Sequence, residues 1–401
     1  MRIILFLKYI PSRGNDRKSD SLWSTIDGFK DAGFNVVVAT QGRAEPTEFP
    51  RMLLTLSGIP RFGFRVARGI ASRLGWPTLV ERLKKLELSR AVKGWTKRND
   101  EVNAVVALCT ANHPAVLGHT VSNLLGKPLL IQEHKIYETS IKTADDIPAD
   151  YLEALRSADI LAAVSPFLAN IMVKVGVRPD INVIPNALSD EFFEAPKNMF
   201  GFDWDESDES AQKFFVFGGW TRWREIKRVD LLLKAFKAVY SQHPNTRLLI
   251  AGPIEPDSNA SWVSDFIRAN ALEEVVCVFG SADREQIHKI AHSIDCSVVP
   301  SDYETFGLPA LEALAAGKPV VTTRCNGPEW LVRDDRFGRC IDRGSSTALA
   351  EAMIEVYESR DEFDSDFIRT ETWNNYSRTA VSRQWSDAIH EAVAKNRCCD
   401  A

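Results

Sequence analysis

Two glutamates separated by seven residues, Glu304 and Glu312, are the part of this 401-residue sequence whose types and spacing point most directly to chemistry. A β-branched run ends at Pro300, a loop containing Gly307 follows, and Pro309 falls where proline fits, in the first turn of a helix. The pattern predicts a helix to about Ala316, a stop at Gly317 and a new strand from near Pro319. The start of that helix offers backbone N–H groups at Gly307 and Leu308 together with the positive end of the dipole, a setting suited to phosphate. The two carboxylates stand at fixed places around it and can accept hydrogen bonds from hydroxyls. Phosphate flanked by polyhydroxyl groups describes a sugar nucleotide. The competing reading is an ordinary βαβ turn with two surface glutamates. The coincidence of spacing, the intervening Phe-Gly-Leu-Pro and the strand–loop–helix context favours the site.

Other familiar chemistries are missing. The sequence has no G-x-G-x-x-G after a strand, no G-x-x-x-x-G-K-[ST], no G-x-S-x-G and no H-E-x-x-H. Dinucleotide oxidoreductases, P-loop nucleotidases, serine hydrolases and zinc proteases are therefore disfavoured. Two D-x-D triplets, Asp203-Trp-Asp205 and Asp364-Ser-Asp366, have the composition of a metal grip on a sugar nucleotide. Neither follows a buried strand, so no metal site is expected.

The elements that must position these residues are short aliphatic runs alternating with helix-length segments. In the first half the runs are 3–7, 36–40, 102–108, 128–132, 160–164 and 181–184; in the second they are 214–217, 246–250, 275–279, 296–299, 319–322 and 338–341. They are continuous rather than alternating, as strands buried on both faces are. Strand–helix alternation means βαβ units and parallel sheets. The break is expected between about Ala187 and Lys213, across the acidic stretch Asp203–Glu209. This gives a first domain over 1–195, a second over 212–370, and a terminal helical segment, 371–401, crossing back to the first. A ligand would sit at the C-terminal ends of the strands, in the cleft between the domains.

Composition is ordinary for a folded chain: 45% hydrophobic, 26% charged, 9% aromatic. That excludes disorder and fibrous repeats. The seven cysteines include no C-x-x-C, so a disulfide scaffold is not expected and a reducing, cytoplasmic setting fits. No run of 18 apolar residues occurs, and Met1–Lys8 reads as a buried first strand, not a leader. A net charge of −5 argues against a dedicated nucleic-acid binder. The charge is uneven, however. Residues 60–99 hold eleven Lys and Arg against Glu81 and Glu87, with apolar residues at helical spacing such as Leu79, Leu83 and Leu86. Such a stretch suits an anionic membrane surface on the cytoplasmic side; a solvated helix face explains it equally.

At this point the sequence resembles a known family. Glu304-Thr-Phe-Gly-Leu-Pro-Ala-Leu-Glu312 is similar to the E-x7-E motif of the retaining glycosyltransferases of family 4. Asp159–Ser165, Val183-Ile-Pro-Asn186, Gly218–Phe236 and Asn326-Gly-Pro-Glu329 resemble further segments of that family, in order, over nearly the whole chain. The resemblance implies a GT-B fold: α/β, with two Rossmann-like, doubly wound parallel-sheet domains facing across a cleft.

It also implies roles. Glu312 would hold ribose hydroxyls and Glu304 a hydroxyl of the donor sugar. The backbone at Phe306, Gly307 and Leu308 would face sugar and phosphates. Lys227 falls on the family's diphosphate lysine, and His134 on a histidine near the donor sugar. The family's Gly-Arg pair reads Gly218-Gly219 here, so Arg222 or Arg224 would supply the second phosphate cation. The loop after the first strand borders the acceptor in the family; here it carries Arg13 and the single Gly14. The implied donor is a UDP-, GDP- or ADP-sugar, with no further cofactor and no metal, and the implied acceptor is a glycan or a lipid-linked glycan. Two alternatives stay open: an epimerase or hydrolase of sugar nucleotides on the same fold, and a non-catalytic protein that only binds them.

Overall fold

The computed structural model describes residues 1–7, 17–40, 51–53, 101–109, 112–134, 141–201, 214–253 and 261–399. The first sheet is built from β1 (Arg2–Leu7), β2 (Asn35–Thr40), β3 (Arg51–Leu53), β4 (Ala104–Cys109), β5 (Leu129–Glu133), β6 (Ile160–Ala163) and β7 (Asn182–Val183). Between them run α1 (Arg17–Asp31), α2 (Asn112–Leu125), α3 (Ala149–Ser157) and α4 (Pro166–Lys174). The strand order is β3-β2-β1-β4-β5-β6-β7, all pairs parallel. Every residue of β4, Ala-Val-Val-Ala-Leu-Cys, is buried. That is why its sequence lacks the alternation of a one-sided sheet.

The second sheet holds β8 (Phe215–Trp220), β9 (Thr246–Ala251), β10 (Val276–Phe279), β11 (Cys296–Val299), β12 (Val320–Thr323) and β13 (Gly338–Ile341). Its helices are α5 (Val229–Gln242), α6 (Ser261–Ala269), α7 (Arg284–Ser293), α8 (Leu308–Ala315), α9 (Gly327–Leu331), α10 (Ser346–Glu358) and α11 (Ser365–Tyr376). The order β10-β9-β8-β11-β12-β13 is again all parallel. Its core joins Phe217, Leu233, Phe236, Leu248, Val298 and Met353. Each such side chain contributes about 1.5–3 kcal/mol by leaving water. In this order the chain reverses direction between β8 and β11, the point where open α/β sheets bind ligands.

The chain divides into two compact units. The first takes β1, Thr25–Ile184 and the chain from Ser382, which lies within α12 (Arg378–Cys399). The second takes Pro185–Val381 and the residues of α1 up to Ser24. The division therefore falls at Pro185, earlier than a first domain ending at 195, and the return falls at Ser382, later than 371. Packing explains both. Leu188 N–H donates to the Tyr376 carbonyl at 3.0 Å, and the Phe193 ring meets Trp373 edge-on at 5.0 Å, so the segment after Pro185 is tied to α11. Within the first unit, Trp385 packs edge-on against Phe29 at 5.4 Å.

β8 also runs further than the sequence suggests, through Gly218 and Gly219 to Trp220. Those glycines lie beyond the apolar run that ends at 217, yet they occupy crowded strand positions. A Cβ on Gly218 would come within 2.8 Å of Ile294 Cγ2, and one on Gly219 within 2.8 Å of Leu232 Cδ2. The short β3 carries no signal in the sequence. The acidic stretch 203–209 and the basic stretch 60–99 lie outside the described residues. Among the described residues no helix is long and apolar enough to cross a membrane.

Candidate functional site

The site in the second unit begins with two turns that grip each other. After β11 the chain turns through Ser301–Gly307; after β12 it turns through Cys325–Pro328. Glu304 N–H donates to the Cys325 carbonyl at 2.9 Å, and Gly327 N–H donates back to the Glu304 carbonyl at 3.1 Å. Side chains have almost no room between the turns. A Cβ on Gly327 would lie 2.4 Å from the Phe306 Cα, and one on Gly307, whose φ is 91°, would lie 2.5 Å from Pro328 Cγ. Phe306 itself is buried, its ring edge-on to Trp330 at 6.1 Å and to Tyr376 at 6.2 Å. Gly307 then caps α8, with Leu308 and Pro309 in its first turn and left-handed Gly317 just past its end. The backbone at Leu308 thus opens a helix whose first N–H groups have no intrahelical acceptor.

Lys227 arrives from the other side of the reversal point. It ends a 3-10 turn, Glu225–Lys227, between β8 and α5. Its Nζ donates to Glu304 Oε1 at 2.6 Å, and Ser301 Oγ donates to the same oxygen at 3.2 Å. The pair is mostly shielded, with side-chain exposures of 17% for Lys227 and 14% for Glu304. Both line a small open cavity, with Trp220, Thr221, Ser301 and Pro309 also on its wall. Its floor is apolar, from Leu232, Ile250 and Val298. Cys325 lies beneath the Glu304 loop; burial pushes its thiol up to about 12, and the Glu304 charge adds to the rise. It is not a nucleophile at neutral pH.

Glu312 sits one step further back, on α8. It does not line that cavity. Trp220 Nε1 donates to its Oε2 at 2.5 Å, and Arg284 Nη1 to its Oε1 at 2.9 Å. Only 4% of the Glu312 side chain and 14% of the Arg284 side chain are exposed. Sequence reasoning missed both partners. No local signal pointed to Arg284: it stands in the first turn of α7 between Asp283, which caps the helix, and Glu285, so neighbouring acids already account for it.

The remaining residues divide as follows. Arg222 is half-buried and Arg224 exposed; neither lines the cavity. Arg228, next to Lys227, adopts φ 52° and ψ 44°, a left-handed bend that suits glycine. Its guanidinium bonds Asp230 at 3.0 Å and Asp302 at 3.2 Å. In the first unit, His134 follows β5. Its Nε2 pairs with Gln132 Oε1 at 2.9 Å, and Gln132 Nε2 donates to the Ile184 carbonyl at 2.8 Å, so the ring is fixed through a buried amide. Arg13 and Gly14 lie outside the described residues, as do Asp203 and Asp205. Asp364 and Asp366 are explained locally: Asp364 Oδ1 caps α11 through Asp366 N–H and Phe367 N–H at 3.0 Å each, and Asp366 pairs with Arg369. Among the described residues no three acid, histidine or cysteine side chains gather as metal ligands would.

Comparison with known proteins agrees with this setting. Residues 203–373 match the family model described as glycosyl transferases group 1, and residues 21–192 the model described as Glycosyltransferase Family 4. The two models together take in most of the chain and support a glycosyltransferase of the family 4 type; the fold is GT-B. Glycogen synthase from Mycobacterium tuberculosis is 36% identical over 132 residues, 33% of this chain. That match spans only 31% of the synthase. A D-inositol 3-phosphate glycosyltransferase from Corynebacterium glutamicum is 25% identical over 303 residues, covering 69% of this chain and 70% of that protein. The crystal structure of Anabaena Alr3699/HepE in complex with UDP superposes with a TM-score of 0.71. It is 17% identical and covers 98% of this chain and 100% of its own, so the likeness is one of fold.

Proposed function

We propose that this chain is a retaining glycosyltransferase that moves a hexosyl group from a nucleotide-diphosphate sugar to a glycan or lipid-linked acceptor. The observation that carries the reading is the Lys227–Glu304 pair, held at 2.6 Å on the wall of a cavity at the sheet's reversal point. Transfer breaks the anomeric C–O bond to the diphosphate and forms a new one to the acceptor oxygen. Negative charge develops on the leaving phosphate, and a prearranged cation there lowers the barrier. Lys227 and the first turn of α8 supply that charge without a metal ion. Glu304 accepts a hydroxyl of the sugar and Glu312 the ribose hydroxyls. The acceptor attacks from the face the diphosphate leaves, and its proton passes to the departing phosphate oxygen, so configuration is retained and no acid becomes covalently bound. The family resemblance also gives His134 a role toward the donor sugar. The setting implied by the family is assembly of bacterial surface polysaccharide or glycolipid, with the basic stretch 60–99 resting on an anionic membrane.

The test is transfer itself. The enzyme is offered UDP-, GDP- and ADP-sugars with an acceptor panel, with and without EDTA, and the anomeric configuration of the product is read by NMR. Inverted product, or activity abolished by EDTA, overturns the mechanism. Sugar released or epimerised from donor alone would instead mark a hydrolase or epimerase. One observation favours a second reading, binding without transfer. Gly219 stands where the family has its phosphate arginine, and its Cβ position is filled by Leu232. In the first reading Arg222 or Arg224 replaces that arginine; loss of turnover in Arg222→Ala or Arg224→Ala decides between them.

A further inference from the structure

We propose that Arg284 is a positioning residue for Glu312, fixing its carboxylate so that two of its acceptor sites remain directed to vicinal hydroxyls of a nucleoside diphosphate. The inference rests on the ribose role proposed above for Glu312. A carboxylate has about four lone-pair sites. Arg284 Nη1 takes one on Oε1 at 2.9 Å, and Trp220 Nε1 takes one on Oε2 at 2.5 Å. The plane of the acid is thereby set from two directions by two different elements, α7 and β8. Arg284 is itself held: its guanidinium carbon lies 4.0 Å from the centre of the Phe192 ring. Phe192 is fixed in turn, since its carbonyl pairs with His292 Nε2 at 3.0 Å and its ring packs on His288 at 4.9 Å. Arginine suits such a place because its planar fork can stack and donate at once, which lysine cannot do.

The experiment removes the hydroxyls from the ligand as well as the arginine from the protein. Binding of UDP, GDP and ADP to the full chain is measured by calorimetry, each beside its 2′,3′-dideoxy analogue. Glu312→Ala and the milder Glu312→Gln should weaken the diphosphate roughly 10- to 100-fold and the dideoxy analogue little, as loss of bonds to a charged acceptor does. Arg284→Met should reproduce that selective loss, Arg284→Lys should restore part of it, and Phe192→Leu should show a weaker form. Equal weakening of both ligands in Arg284→Met would make the arginine merely structural; unchanged or tighter binding would make it a cover over the acid. Either result overturns the proposal while leaving Glu312 in place. Equal weakening in both Glu312 variants, or no binding of any of the three diphosphates, overturns the ribose assignment itself. Arg284→Lys, which keeps a charge beside Glu312, carries the comparison if Arg284→Met does not fold.

Discussion

At the end of β11 a lysine faces a glutamate on the wall of a cavity. At the end of β5, in a sheet of the same central strand order, Glu133 is fully buried and accepts a hydrogen bond from the Tyr151 hydroxyl. Beside it Cys109 is held well above the usual thiol range by burial, with the Glu133 charge adding to the rise. His134 pairs with an amide. So the second unit presents cations paired to acids at its strand ends, and the described part of the first presents neutral donors and a sealed carboxylate. The topology is shared and the chemistry is not, because it resides in a few side chains placed on the fold. A leaving phosphate needs positive charge, which the second arrangement supplies.

The largest effect should come from testing that contrast directly. Lys227→Ala should lower kcat roughly 100- to 1,000-fold, as loss of a prearranged electrostatic donor does. His134→Ala should cost only about 10-fold, the worth of one hydrogen bond. Steady-state kinetics with a saturating donor measures both. Full turnover in Lys227→Ala would remove the leaving-group assignment; equal losses would erase the contrast between the units.

The glycines sharpen it through stability. Gly327→Ala pushes a Cβ into the Phe306 backbone and should cost about 3 kcal/mol, since neither turn can give way. Gly33, in the first unit, has φ +82° but nothing within 4 Å, so Gly33→Ala should cost about 1 kcal/mol from backbone strain alone. Urea midpoints decide. Equal costs would mean that the turns at Glu304 and Gly327 are not rigid.

Acid should loosen the second unit. Burial lowers His292 to about 4 in the folded chain, against about 6.5 unfolded. Between those values the unfolded state binds the extra proton, so stability is full above about pH 6.5 and falls as pH drops toward 4. The loss reaches at most about 3 kcal/mol. His292→Asn should flatten the slope seen in urea unfolding between pH 7 and 4.5; an unchanged slope would assign it to other groups.

How much of this was legible follows from range. Strand runs, the Gly307 turn and Gly317 stop are local, so apolar patterning and turn chemistry revealed them. Glu304, Glu312 and Lys227 could be named as candidates because their motif spacing is short or recognisable. Arg284 and Trp220 escaped because each meets Glu312 only through the three-dimensional neighbourhood of α7, β8 and α8. The apolar run stops before Gly218 and Gly219 because glycine usually weakens a strand; the side chains of Ile294 and Leu232, which crowd their Cβ positions, are what exclude anything larger. The division at Pro185 depends on Leu188 and Phe193 binding α11, which no linker composition announces.

The smallest expected effect concerns Arg228, and its sign carries the information. A left-handed residue other than glycine costs about 1–2 kcal/mol of backbone strain. The ion pairs to Asp230 and Asp302 return little, because partly exposed bridges contribute about 0–1 kcal/mol. Arg228→Gly therefore relieves strain, loses those pairs and gains unfolded-state freedom worth about 0.5–1 kcal/mol, for a net change near zero. Arg228→Ala loses the pairs and keeps the strain, so it should be about 1 kcal/mol less stable than the glycine variant. If alanine instead equals or exceeds glycine in urea unfolding, the bend at Arg228 is not strained. The arginine beside Lys227 would then be retained for its charge, and the second unit would hold one more cation at its strand ends than the pairing with Asp302 suggests.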